Sequence, residues 1–104
     1  MVMKIIWTDF AKVQLRNVFD YYAEVASKTV AKNIISGIRN RTILLRTHPN
    51  IGTIEELLME SPHKYRYLVE NNYKIIYRIE DSIIYITDIF DTHQNPNKLK
   101  IRNL

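Results

Sequence analysis

Three β-rich runs in the last third of the chain, Tyr65–Glu70, Tyr73–Ile79 and Ile83–Phe90, lie so close together that they must fold back on one another. All three are rich in β-branched and aromatic residues, and Asn71-Asn72 and Glu80-Asp81 are the short polar breaks that suit hairpin turns. Residues paired across an antiparallel ladder share a face. With two-residue turns, Leu68, Ile75, Tyr77, Ile84, Ile86 and Phe90 fall on one side. Tyr65, Tyr67, Val69, Lys74, Ile76, Arg78, Ile83, Tyr85 and Thr87 fall on the other. The first set is apolar enough to be covered, and the second mixes aromatics with two cations. A one-residue change in a turn would exchange the sets.

The cover comes from the first half. Val2–Trp7 reads as a short strand, and Thr8 or Asp9 supplies a side-chain oxygen able to cap a helix. Ala11, Leu15, Val18, Tyr22 and Val25 then recur at three- and four-residue steps, so a first helix ends near Ala26. Ser27 caps a second, in which Ala31, Ile34, Ile38 and Leu45 keep helical spacing and Ile35 and Leu44 widen the stripe. His48-Pro49-Asn50-Ile51-Gly52 stops it. The link at Ser27 is short enough to force an antiparallel helical hairpin. The expected architecture is β-α-α-β-β-β, of the α+β class: an antiparallel sheet with the hairpin packed on one face, in a single domain spanning 1–104.

Composition narrows the chemistry. Cysteine is absent, which rules out disulfides and thiolate metal sites and fits a reducing compartment. His48 and His63 have no third ligand at a useful spacing, so neither metal nor cofactor is expected. No apolar run suits a signal peptide or a membrane span, and the expected location is the cytoplasm. The net charge is +4, with Lys and Arg dominating up to Ile51, Glu55, Glu56 and Glu60 gathered after it, and Lys98, Lys100 and Arg102 forming a basic tail. Such patches favour an acidic partner or a phosphate backbone.

Trp7-Thr8 before the first helix, His48-Pro49 closing the second, Tyr65-Arg66-Tyr67-Leu68, the strand Tyr73-Lys74-Ile75-Ile76-Tyr77-Arg78 and the terminal Asp91-Thr92-His93-Gln94-Asn95-Pro96 together resemble the RelE/ParE toxin superfamily of type II toxin–antitoxin systems. The likeness runs from Ile5 to about Lys98 and is greatest to the ParE-like plasmid stabilisation branch. It implies a growth-inhibiting toxin that joins a cognate acidic antitoxin in a hetero-oligomer, with an extended or helical antitoxin segment wrapped around the toxin. Two activities occur on this fold. In the ParE-like one the toxin binds DNA gyrase, and the candidate contacts are Lys98, Lys100, Arg102 and the exposed part of the helical hairpin, with Tyr67 and Tyr85 as further partner contacts.

In the RelE-like alternative the toxin cuts mRNA on the ribosome without a metal. Lys74 stands where nuclease members usually carry an arginine and would hold the scissile phosphate beside Arg78. His93 would serve as acid or base, since its ordinary pKa lies near neutrality. Glu55, Glu56 or Glu60 would supply a carboxylate, and Tyr67 or Tyr85 would stack on a base. Against this, Tyr67 and Val69 occupy the positions where the best-known nuclease branch places two lysines. A third alternative is an inactive remnant that only binds antitoxin. Arg66, on the otherwise apolar face, is expected to be structural, and Pro96 to end the structured chain.

Overall fold

A computed structural model describes residues 2–103. Strand β1 (Lys4–Trp7) leads into helix α1 (Asp9–Val25), and helix α2 (Lys28–Ile43) folds back along it. The hydroxyl of Thr8 accepts a hydrogen bond from Ala11 N–H and that of Ser27 accepts one from Val30 N–H, both at 3.1 Å, so each helix begins at a side chain able to satisfy a free first-turn donor. Helix α2 tightens into a 3₁₀ turn over Leu44–Arg46 before Pro49. Then come β2 (Thr53–Ile54), a 3₁₀ turn over Glu56–Leu58, β3 (Tyr65–Glu70), β4 (Tyr73–Glu80), β5 (Ile83–Asp91) and a short helix α3 (Pro96–Arg102).

The five strands form one sheet in the order β1-β5-β4-β3-β2. It is mixed, not wholly antiparallel, because β1 runs parallel to β5. The unforeseen two-residue β2 accounts for this: it inserts one more reversal of direction after the helical hairpin, which turns β5 parallel to β1. Helices α1 and α2 cover one side, where Ala11, Leu15, Val18, Ile35, Ile38 and Leu45 meet Leu68, Ile75, Tyr77, Ile84, Ile86 and Ile89 in the main core. The predicted apolar face is thus found, with one exception.

Phe90 faces the other way. The second turn is Asp81-Ser82 and not Glu80-Asp81, with both residues at positive φ, and β4 pairs Tyr77 with Ile86 but Ile76 with Asp88. Thr87 is the extra residue of a β-bulge at that point. The bulge restarts the alternation, so Ile89 joins the helix side while Asp88 and Phe90 pass to the reverse side.

The reverse side has a cover of its own. Leu58 and Leu99 pack there with Tyr65, Ile76 and Phe90, so α3 and the segment around residue 58 close part of the face that the sequence leaves open. Pro96 therefore does not end the structured chain; it occupies the first turn of α3, where a missing N–H costs nothing, and Asn95 caps the helix through Asn97 N–H at 3.0 Å.

Candidate functional site

Alternation along β4 puts Lys74, Ile76 and Arg78 on the reverse side, as the sequence predicts, and their surroundings decide what they can do. Lys74 Nζ donates to Glu55 Oε2 at 2.7 Å and lies 4.2 Å from the centre of the Tyr67 ring. Glu55 is 3% exposed and Lys74 22%, so this ion pair is enclosed, and Glu55 also accepts from Leu57 N–H. Arg78 stacks on Tyr85 with its guanidinium carbon 4.7 Å from the ring centre, and it reaches Glu80 at 3.4 Å. Neither cation is free for a phosphate, and the Tyr67 and Tyr85 rings are occupied by them.

Arg102 is matched as well. Asp88 is fully buried, and its two carboxylate oxygens accept from Arg102 and from the Asn103 side-chain amide. The Arg102 guanidinium carbon lies 5.2 Å from the centre of the Phe10 ring and 5.1 Å from that of Phe90. The basic tail is therefore not a loose set of three charges. Arg102 is a structural residue that neutralises a buried carboxylate, Lys100 reaches Glu60 at 3.6 Å, and Lys98 is exposed. Sequence reading misses Asp88 because the bulge hides which way it points.

His93 sits elsewhere. Asp91 pairs with Tyr73, whose ring belongs to the helix-side core, and Asp91 Oδ1 accepts from His93 N–H at 2.9 Å and from the Asn72 amide at 3.0 Å, and meets His93 Nδ1 at 3.0 Å. Burial by itself would raise the Asp91 pKa, but these hydrogen bonds and the nearby imidazole outweigh it and hold the carboxyl below its ordinary range. Burial, then the hydroxyl of Tyr22, raises the Tyr73 phenol. His93 is 79% exposed and lines a polar cleft of about 340 Å³ with Gln14, Asn17, Tyr21 and Tyr22 of α1. Lys74 and His93 thus lie on opposite sides of the sheet, and the proposed nuclease set is not assembled.

Arg66 behaves as expected. Its guanidinium donates to the carbonyl of Gly52 at 2.8 Å and that of Asn50 at 3.4 Å, while Tyr77, fully buried, donates from its hydroxyl to Pro49 O and accepts from Gly52 N–H. A Cβ at Gly52 would stand 2.6 Å from the Tyr77 hydroxyl, so only glycine lets the loop close over that ring. The loop after α2 is fixed by these contacts.

An open groove lies on the helical side. A groove of about 830 Å³ between α1 and α2 has Trp7, Leu15, Phe19 and Ile35 among its lining, together with Lys12, Arg16, Lys32 and Arg39. It adjoins a smaller cleft beside β1 that shares Trp7 and Arg39 and adds Lys4 and Arg46. An apolar floor with cationic edges suits an amphipathic acidic chain better than a small metabolite. Among the described residues no cluster of His, Asp or Glu could hold a metal, and no helix is long and apolar enough to cross a membrane.

A small mixed sheet, a helical hairpin on one side and a cationic groove between the helices are the frame of a small α+β protein. The profile of the family described as "ParE toxin of type II toxin-antitoxin system, parDE" matches residues 5–96, and the chain belongs to that family. It is a type II toxin of the ParE kind, and its partner is an antitoxin. A solved structure described as a chromosomal ParDE toxin–antitoxin system from P. aeruginosa superposes with a TM-score of 0.72 at 22% identity, covering 86% of this chain and 96% of that one, which establishes the fold. No curated protein is a significant sequence match.

Proposed function

We propose that this single-domain toxin acts in the cytoplasm by binding DNA gyrase or a related type II topoisomerase, and that its antitoxin blocks it in a hetero-oligomer. The observation that carries the choice over RNA cleavage is the enclosed Lys74–Glu55 pair, with His93 on the far side of the sheet. A metal-free ribonuclease must bring a phosphate-binding cation and an acid–base group to the same few ångströms.

The outer side of α3 is the proposed target contact, with Lys98, Lys100 and the 74% exposed Ile101. The groove between α1 and α2 is the proposed antitoxin seat, because its apolar floor and cationic edges complement an acidic amphipathic segment.

Purified toxin should inhibit supercoiling by gyrase and leave mRNA intact in a translating lysate. The double substitution Lys98→Glu and Lys100→Glu should relieve that inhibition while the protein stays folded. It is a better test than truncating the tail, which would remove Arg102 and Asn103 from the buried Asp88 carboxylate. Transcript cleavage that needs Lys74 and His93 would refute the reading in favour of the RelE-like activity.

A further inference from the structure

The excess positive charge of this protein is concentrated in one segment. From Val25 to Ile54 there are five cations, Lys28, Lys32, Arg39, Arg41 and Arg46, and no Asp or Glu, although the chain holds eleven carboxylates. Four of the five, Lys28, Lys32, Arg39 and Arg46, are exposed, and none of the five has an ion-pair partner among the described residues. Elsewhere several cations are matched, Lys74 with Glu55, Arg102 with Asp88 and Arg16 with Asp20, while Lys4, Lys12, Lys64 and Lys98 stand singly, without an ion-pair partner among the described residues. The run of cations uninterrupted by any carboxylate is the property of α2 and its 3₁₀ extension.

These four also form a line. At 100° per residue Lys28, Lys32, Arg39 and Arg46 fall within about 60° of one another around the helix, and they span roughly 27 Å along it. Lys32 and Arg39 border one groove and Arg39 and Arg46 border the next, which places these three on one flank, and helical spacing adds Lys28. Ile43 is the exposed apolar side chain set among them. The segment contains no Phe, Tyr or Trp on which an unpaired base could stack.

We infer that this flank of α2 binds the phosphate backbone of duplex DNA, without reading sequence. A straight row of long, hydrated cations on a rigid helix matches the regular phosphates of a double helix. Single strands would need aromatic platforms that the row lacks. An acidic protein segment in the adjoining groove would use Lys32 and Arg39 too, so DNA and such a segment exclude each other there.

The test is fluorescence anisotropy of the whole toxin with a labelled 20-base-pair duplex of mixed sequence, titrated from 50 to 200 mM KCl. Four phosphate contacts predict a log–log salt slope near −3.6 and a loss of affinity on the order of 100-fold over that range. The variant Lys28→Ala, Lys32→Ala, Arg39→Ala and Arg46→Ala, in which alanine keeps helix propensity, should flatten the slope toward zero while circular dichroism stays unchanged. A control variant, Lys64→Ala, Lys98→Ala and Lys100→Ala, should bind as the wild type does.

Three results would each overturn the proposal: no duplex binding at 50 mM KCl, equal loss in the control variant, or tighter binding of the corresponding single strand.

Discussion

The cations of the sheet side and those of α2 follow opposite rules. Lys74 and Arg102 are held by carboxylates that are 3% and 0% exposed, whereas Lys28, Lys32, Arg39 and Arg46 stand in solvent with no ion-pair partner among the described residues. The first group therefore works inside the protein. Neutralising Glu55 and Asp88 lets α3 and the loop before β3 lie against the reverse side of the sheet. The second group contributes little to stability and is left available for a partner. In a protein this small, a charge spent on internal compensation cannot also bind a target, so the location of unpaired charge is the better guide to where macromolecules dock.

The contrast can be broken by mutation. Arg102→Ala leaves the Asp88 carboxylate buried without its strongest donor and should cost about 3 kcal/mol in urea denaturation. A change of less than half that would mean α3 is dispensable to the fold. Next in size, Lys74→Ala should cost about 2 kcal/mol by stranding Glu55, and pairing it with Glu55→Gln should recover part of the loss in a double-mutant cycle. Strictly additive effects would show that the two groups do not interact.

A smaller effect should appear with acid. The Asp91 carboxyl is depressed in the folded state, so its contribution is present above the ordinary carboxylate range near pH 4 and fades as pH falls through the lower folded value. Asp91→Asn should lower stability by a constant amount above about pH 5 and by progressively less as pH falls below about 4, flattening the acid limb; an unchanged acid limb in stability against pH would rule out this role. Smallest of all, the four-alanine α2 variant should shift stability by no more than about 0.5 kcal/mol, since exposed and unpaired cations make no internal contact to lose. A larger destabilisation would erase the distinction between the two groups.

Much of this was legible in the residues. Thr8 and Ser27 mark the helix starts by the oxygens they offer, and the stripe through Ala11, Leu15 and Val18 is buried as spaced. Alternation correctly sends Lys74 and Arg78 away from the helices, and Arg66 finds the carbonyl partners expected of an arginine on an apolar face. What escaped were features with no local period. Two residues of β2 carry too little pattern to see, and the seven-residue α3 owes its place to Leu99 and Arg102 meeting groups distant in sequence. The candidate site was the least legible part. Which cations are free depends on where Glu55 and Asp88 come to rest, and that is fixed by tertiary packing alone.

The inserted Thr87 has a consequence for the whole architecture. Were Thr87 paired as an ordinary ladder residue, strict two-residue alternation would aim Asp88 and Phe90 into the greasy layer beneath the helices and leave Ile89 on the opposite surface. By re-phasing only the tail of its last strand, the chain keeps one oily layer intact while building a second, electrostatically tied one behind it, from the same ribbon. Deleting Thr87 should therefore regularise the ladder while keeping Asp88, Ile89 and Phe90 on their present sides, and the shortened protein should retain one cooperative unfolding transition.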